Sequence, residues 1–201
     1  MSATETTGHD VRGAADTSAI VLVITSNTGV ERDELLVPPA RLRERGLTVV
    51  HAAPDRGPVQ TFEHDTEKSV VVDADLALTQ VEVDDFDAVV VPGGTVNADK
   101  LRRDPNAIAL VGAFAAAGKP VAAICHGPWL LIEAGLVDGQ ALTSYPSLRT
   151  DLVNAGGRWT DQPVVESAAG GRTVITSRNP GDLEPFTSAV AGAALAVTVV
   201  R

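Results

Sequence analysis

Short runs that are apolar along almost their whole length constrain this chain more than any other feature. Ile20–Ile24, Asp87–Val91 and Pro120–Ile124 are such runs, and segments with helical spacing, including Glu31–Arg45 and Asp182–Val200, lie between or after them. A strand with one face in water alternates apolar and polar residues, whereas a strand covered on both faces does not. The pattern therefore predicts an α/β fold with a mostly parallel sheet and helices on both faces.

The rest of the pattern places these elements in one domain. The chain has 201 residues, 44% of them hydrophobic, which is enough for a single core. Residues 1–18 are mostly small or polar and show no period. We therefore expect a flexible N-terminal tail, followed by one domain over residues 19–201. The β-branched segment Ser69–Val72 predicts a side hairpin, and Pro38 and Pro39 predict a kink or restart in the first helix.

Net charge and cysteine content exclude several classes of function. The formal charge of −10 repels nucleic acid and anionic membranes, so neither is expected as a partner. Ile20–Ile24 is too short to span a bilayer, and no apolar region follows a basic start, so we expect neither a membrane anchor nor a secretory signal. The sequence predicts a cytoplasmic protein. Its one cysteine is then either a buried apolar side chain or a catalytic thiol.

The carboxyl ends of the strands are where open parallel sheets bind ligands, and they direct attention to Ser26–Glu31, Pro92–Thr95 and Cys125–Pro128. In the last segment an apolar strand runs into Cys125, and Gly127 and a helix-opening proline follow, as in a nucleophile elbow. Such a turn exposes the thiol, and the N–H groups and dipole of the next helix favour the thiolate. We predict that Cys125 is a nucleophile that requires no metal.

Few groups are available to exchange a proton with this thiol. His126 adjoins it, and either shuttles protons or only orients the turn. No histidine follows His126, which excludes a triad with a histidine far downstream. His51 and His64 are expected to be structural or solvated. Glu31, after the first strand, is the leading acid, although an acid at a helix start also simply complements the helix dipole. The same applies to Asp33, Glu34 and Asp99, and spacing alone does not rank them.

The glycine pair after the Asp87–Val91 strand offers a second element of a site. Gly93 and Gly94 either form an ordinary turn or let the backbone approach a substrate closely. In the second case the N–H groups of Gly94 and His126 would form an oxyanion site. The pattern Gly-x-x-x-x-Gly-Lys-Ser/Thr is absent, so nucleotide binding has no support.

Six stretches of the chain carry a family resemblance. They are Phe86–Gly94, Gly118–Pro128, Thr143–Pro146, Asn154–Gly156, Trp159 and Val174–Arg178. Together they resemble the PfpI family of the DJ-1/PfpI superfamily, with its class I glutamine amidotransferase-like fold, over nearly all of residues 19–200. The Ala-Ile-Cys-His-Gly-Pro stretch is highly specific for this group. The resemblance implies a flavodoxin-like three-layer sandwich, assembly into homodimers or hexamers, and activity without a cofactor or metal.

The resemblance also assigns roles by position. It implies that the catalytic residues are Cys125, Glu31 and His126. The residues that would bind an oxyanion or substrate are Gly93 and Gly94. Tyr145 would lie at the pocket edge, and Asp99 would contact a partner subunit. Glu31 matches the glutamate that contacts the cysteine sulfur. Asp99 falls where some members place a longer acid, a glutamate that reaches the histidine of a neighbouring subunit.

Three functions are compatible with these expectations. The leading one is a stress-related glyoxalase or protein deglycase: Cys125 attacks the aldehyde of methylglyoxal, Glu31 moves a proton between its carbons, and lactate leaves. The first alternative is an intracellular peptidase or amidase, in which His126 would protonate the leaving group. The second is a non-enzymatic sensor of oxidative stress or a chaperone, in which peroxide oxidises the thiol.

Overall fold

The computed structural model describes residues 18–200, the last of them through its backbone alone. The predicted tail, apart from Ser18, lies outside these residues. In the described part twelve strands are present: β1 Ile20–Ile24, β2 Thr28–Glu31, β3 Thr48–Ala53, β4 Gly57–Glu63, β5 Glu67–Ala74, β6 Leu76–Ala77, β7 Ala88–Val91, β8 Val121–Ile124, β9 Ala141–Leu142, β10 Arg158–Trp159, β11 Val164–Ser167 and β12 Val174–Ser177. The α-helices are α1 Arg32–Glu44, α2 Thr95–Leu101, α3 Pro105–Ala116, α4 Pro128–Glu133, α5 Arg149–Asn154 and α6 Leu183–Val200.

A seven-stranded sheet in the order β11-β12-β8-β7-β1-β3-β6 forms the centre of the molecule. Its strands pair in parallel, except that β11 runs antiparallel to β12 at one edge. The sequence prediction of a mostly parallel α/β sheet is therefore confirmed. In this topology the ends of β1, β7 and β8 meet at one edge of the sheet, which brings the three predicted strand-end segments together.

Two apolar layers cover the sheet, which explains why its strands are apolar throughout. Along β1, Leu22 packs into one layer with Leu110 and Phe114 of α3. Val23 packs into the other layer with Phe186 of α6. Because successive side chains of a strand point to opposite faces, an uninterrupted apolar run is needed to fill both layers. Each such large side chain contributes about 1.5–3 kcal/mol through burial.

The first helix differs from its prediction. α1 continues from Arg32 to Glu44 without restarting, with Pro38 and Pro39 inside it, and both prolines are buried. Each proline removes one backbone hydrogen bond from a helix interior. Packing of α1 against β3 and α6 offsets that loss, which a local sequence rule does not include.

A small accessory sheet lies beside the carboxyl end of the main one. It has the order β2-β4-β5, with β2 parallel to β4 and β4 antiparallel to β5. The predicted hairpin around Ser69–Val72 is thereby confirmed. At its tip His64 and Asp65 have φ of 52° and 64°, in the left-handed region that non-glycine residues rarely adopt. Within residues 18–200 no helix combines the length and apolar character needed to cross a membrane.

Candidate active site

Cys125 occupies the sharp turn that the sequence predicted between β8 and α4. Its φ is 60°, an unfavourable value for a residue with a side chain, of the kind that concentrates at functional sites. The backbone around it is fixed on both sides. The Cys125 N–H donates to the Ser177 carbonyl oxygen at 3.1 Å, and the Tyr145 N–H donates to the Cys125 carbonyl oxygen at 2.9 Å. The thiol side chain is therefore presented by a rigid, strained elbow.

The surroundings of the sulfur do not favour the thiolate in the way the turn alone suggested. Burial raises the pKa of the Cys125 thiol, and the negative charge of Glu34 raises it further, whereas the N–H groups of Gly94 and His126 lower it. Cys125 is only 7% exposed, so water does not solvate the anion. The short α4 helix does not overcome this loss of solvation. The resting thiol is protonated, and a base is needed to activate it.

Glu34 is the acid that interacts with the Cys125 side chain. Its carboxyl is fully buried, and burial raises its pKa to about 8. Oε2 accepts a hydrogen bond from the Gly93 N–H at 2.7 Å. Oε1 is buried and has no hydrogen-bond partner among the described residues. A buried oxygen without a partner favours the neutral carboxyl, so Oε1 is the atom on which the proton of Glu34 can reside.

The catalytic role expected of Glu31 stays a prediction, and the structure adds Glu34 as a second candidate. Glu31 ends β2 and lies at the same pocket, but its pKa, which burial raises, responds to His64 and Asp65 rather than to the thiol. The difference arises because α1 begins only after Glu31. Glu34 then lies about one helical turn further in, where the helix packs under the elbow. Several acids within one turn of sequence do not reveal which of them faces the sulfur.

His126 lies closer to the thiol than neighbouring residues usually allow. Its Nδ1 is 3.2 Å from the Cys125 sulfur. Its ring stacks on Tyr145 with centroids 4.7 Å apart, which fixes its orientation. Burial lowers the pKa of His126, while the charge of Asp65 acts in the opposite direction. The neutral imidazole is thus placed to accept the thiol proton.

These groups surround a pocket of about 180 Å³. Its lining residues are Glu31, Glu34, His64, Asp65, Gly94, Cys125, His126, Tyr145 and Pro180. Tyr145 is 42% exposed, at the pocket edge where the resemblance placed it. Gly94 lines the pocket, and Gly93 binds Glu34 behind it. That these glycines help to bind an oxyanion or substrate stays a prediction.

Three residues complete the outcome for the sequence-based candidates. His51 is buried, and its Nε2 lies 2.7 Å from the Thr25 hydroxyl, in keeping with the structural role expected of it. His64 is exposed but lines the pocket, which no local pattern indicated. Asp99 is exposed on α2, and its contact with a partner subunit stays a prediction. Asp65 was missed altogether, since an acid in a hairpin tip carries no sequence signal of a site.

Comparison with known proteins identifies the family of this chain. The family model described as DJ-1/PfpI matches residues 19–193. A deglycase of Pyrococcus abyssi is 40% identical over 162 residues, which cover 81% of this chain and 92% of that protein. General stress protein 18 of Bacillus subtilis is 36% identical over 156 residues, covering 78% and 87% of the two chains. The crystal structure of Drosophila melanogaster DJ-1beta matches with a TM-score of 0.74 and 30% identity, over 91% of this chain and 95% of that one. This chain belongs to the DJ-1/PfpI family.

Proposed function

We propose that this protein is a cysteine-dependent enzyme that acts on reactive carbonyls, converting methylglyoxal to lactate or removing the early adducts that such aldehydes form on proteins. The observation that carries the proposal is a buried carboxyl, Glu34, with a pKa near 8 directly beside the strained Cys125 elbow. Relatives named deglycases, such as that of Pyrococcus abyssi, support the same substrate class.

The first step forms a covalent bond between the sulfur and the aldehyde carbon. His126 Nδ1, 3.2 Å from the sulfur, takes the thiol proton as the sulfur attacks. The electron pair of the carbonyl moves to its oxygen, and we assign its stabilisation to the N–H groups of Gly94 and His126. His126 then returns the proton to that oxygen. The product is a neutral hemithioacetal.

The second step needs a group that both removes and returns a proton. In the hemithioacetal of methylglyoxal, a proton leaves the former aldehyde carbon and enters the neighbouring ketone carbon, while the hydroxyl proton moves to the former ketone oxygen, which gives a thioester of lactate. A carboxyl with a pKa of about 8 is suited to both directions near neutral pH, because proton transfer is most efficient when the pKa lies close to the working pH. We assign this role to Glu34. Water then hydrolyses the thioester, which releases lactate and restores the thiol.

The size of the pocket bears on the choice of substrate. A volume of about 180 Å³ is below the roughly 300–1,000 Å³ of sites for drug-sized ligands. It suits a two- or three-carbon aldehyde, or the small adduct that such an aldehyde leaves on a side chain exposed on another protein. We therefore keep peptide hydrolysis as the weaker alternative.

Lactate formation tests the proposal. The parent protein, purified to homogeneity, is incubated with methylglyoxal, and lactate is measured enzymatically beside the Cys125→Ala variant. Release of methylglyoxal-derived adducts from a model peptide is followed in parallel. We expect product from the parent in at least one assay and none above background from the variant. Equal product from both proteins refutes the proposal.

Two further measurements address the alternatives. Turnover of a fluorogenic peptide that is lost in Cys125→Ala, without carbonyl turnover, identifies a peptidase instead. Stepwise addition of oxygen to Cys125 after mild peroxide, without any turnover, identifies a sensor. Assembly as a homodimer or hexamer, and a cytoplasmic location, are further parts of the proposal. Light scattering of the parent and of Asp99→Asn tests whether Asp99 contributes to assembly.

A further inference from the structure

A continuous path of polar contacts joins the hairpin tip to the nucleophile. The Asp65 carboxylate accepts hydrogen bonds from both the backbone N–H and the side-chain hydroxyl of Thr95, at 2.6 and 2.8 Å. The Thr95 Oγ1 lies 3.4 Å from Nε2 of His126. Nδ1 on the other side of the same ring lies 3.2 Å from the Cys125 sulfur. Four side chains from three parts of the chain, the hairpin tip, the start of α2 and the elbow, are thus connected in a row.

The chemistry of these groups gives the path a direction. An ionised carboxylate only accepts hydrogen bonds, so the Thr95 hydroxyl must donate its proton to Asp65. The oxygen of Thr95 is then left as an acceptor toward His126. A hydrogen bond between this oxygen and His126 requires that Nε2 carry the ring hydrogen, in which case Nδ1 presents its lone pair to the thiol. This is the tautomer that a general base for Cys125 requires.

We propose that Asp65, acting through the Thr95 hydroxyl, is the acid of a Cys–His–Asp relay contained within one subunit. Asp65 and Thr95 are positioning residues: they hold His126 in the Nε2–H tautomer and balance the positive charge that forms on the ring when Nδ1 takes the thiol proton. This inference rests on the proposed function of Cys125 as a nucleophile. It needs no carboxylate from a neighbouring subunit.

Two features of the site support this arrangement over a purely structural role. The turn at the hairpin tip directs the Asp65 carboxylate at Thr95, where each of its two oxygens accepts one hydrogen bond. The neutral thiol and the buried, neutral imidazole also need a nearby negative charge if a thiolate–imidazolium pair is to form in a site shielded from water. Asp65 supplies that charge from outside the buried layer.

A competing acceptor provides the matched control. The Ser147 hydroxyl also lies 3.4 Å from Nε2 of His126, but Ser147 is exposed, and none of its described contacts leads to a carboxylate. If any hydroxyl near Nε2 suffices, Ser147 and Thr95 are equivalent. If the relay is right, only Thr95 matters, because only its hydroxyl is committed to Asp65.

The test compares Thr95→Val, Thr95→Ser and Ser147→Ala with the parent. Valine keeps the shape of threonine and the backbone N–H bond to Asp65, and removes only the hydroxyl. Nitrogen-15 NMR of the histidine rings reports the tautomer of His126. The rate of Cys125 alkylation by iodoacetamide at neutral pH reports the activation of the thiol. Neither readout requires a substrate, so failure of the relay is distinguishable from failure of the carbonyl chemistry.

We expect Thr95→Val to lose the fixed Nε2–H tautomer and to slow alkylation about tenfold, a modest share of what general base catalysis contributes. Thr95→Ser restores both properties, and Ser147→Ala changes alkylation by less than about twofold. Unchanged tautomer and alkylation in Thr95→Val overturn the proposal, and so do equal losses in Thr95→Val and Ser147→Ala. In either case Asp65 only anchors the hairpin on α2.

Discussion

The active-site pocket has two walls of different construction. One wall lies at the ends of the main-sheet strands and under the elbow, and we call it the strand wall. The other lies at the β4–β5 tip, and we call it the hairpin wall. The strand wall consists of Glu34, Gly94, Cys125 and His126, and the hairpin wall of His64 and Asp65. Members of the strand wall are buried, whereas His64 is exposed and Asp65 half-buried.

The difference in burial between the two walls determines how each of them can act on the site. Burial is the largest cause of every raised or lowered pKa in the strand wall, because a buried group loses the water that stabilises its charge. The hairpin wall is more exposed to solvent. It acts on the site through the charge of Asp65 and through the two hydrogen bonds that Asp65 accepts from Thr95. We infer that the strand wall performs the chemistry. The hairpin wall adjusts the protonation of His126 and affects the binding of substrate.

A cavity at the opposite edge of the sheet shows that size does not locate this chemistry. It measures about 780 Å³ and lies between the start of β8 and α6. Its lining is rich in glycine and alanine and contains Lys119 and Glu166. Cysteine and histidine are not among the described residues that line it. The smaller pocket holds the groups whose protonation is perturbed, which is the stronger indicator of a catalytic site.

Of the substitutions that test the difference between the two walls, Gly94→Ala should have the largest effect, on the free energy of unfolding. Gly94 has φ of 84°, and a Cβ there would overlap the Gly29 carbonyl oxygen and approach the Glu31 nitrogen to 2.8 Å. Gly94→Ala should lower the free energy of unfolding by about 4 kcal/mol or more, through strain and steric overlap together. Urea denaturation measures the change.

The matched control for this substitution lies at the base of the hairpin. Gly57 also has a left-handed φ, 113°, but a Cβ there meets no atom within 4 Å. Gly57→Ala should cost only about 1–2 kcal/mol, since conformational strain is its one penalty. Equal losses for the two variants would show that the strand wall is no more tightly built than the hairpin.

The second effect separates the two acids of the pocket. Glu34→Gln should lower kcat for lactate formation about 100-fold, because the amide cannot exchange a proton with substrate. Glu31→Gln should lower it less than about fivefold. Steady-state kinetics on both variants check this. The reverse order would return the proton transfer to Glu31, as the family resemblance implied.

The third effect is a pH dependence of stability. Glu34 keeps its proton in the folded protein up to about pH 8, whereas in the unfolded chain it ionises near its ordinary pKa of 4.5. Between these values the folded state binds more protons, so the free energy of unfolding falls as the pH rises. Glu34 contributes a slope of at most about 1.4 kcal/mol per pH unit.

Glu34→Gln removes this contribution. Denaturant titrations from pH 4 to 9 should therefore show the variant gaining stability relative to the parent as the pH rises to about 8, and no further gain above that. His51 and His126, whose pKa values burial lowers, contribute an opposite slope at acidic pH, but they are common to both proteins. A constant difference across the range would mean that Glu34 is ionised in the folded state at neutral pH.

The smallest effect is expected at the hairpin tip. His64→Gln should leave kcat within about twofold and raise KM by about two- to threefold, since an exposed residue that borders the pocket affects binding more than a transition state formed at the sulfur. Kinetics with methylglyoxal measure both constants. A loss of kcat comparable to that of Glu34→Gln would place chemistry in the hairpin wall and end the distinction drawn here.

Prediction from sequence succeeded where a few adjacent residues carry the information. The fold class followed from apolar runs such as Ile20–Ile24, and the elbow from the order of strand, Cys125, Gly127 and proline. The sequence did not rank Glu31 against Glu34, because both lie near one helix start and only packing decides which carboxyl approaches the sulfur. Asp65 gave no signal, since its partner Thr95 is 30 positions away in the chain.

The sequence by itself determined a doubly covered parallel sheet and a cysteine at the apex of a strand–helix turn, because both depend on short-range pattern and backbone geometry. The tertiary structure alone decided the charge states around that cysteine. Burial sets the protonation of Glu34, His126 and the thiol. Packing of the hairpin tip against α2 places the Asp65 carboxylate within hydrogen-bond distance of Thr95. Solvation and distance depend on residues that are far apart in sequence, so no local pattern encodes them.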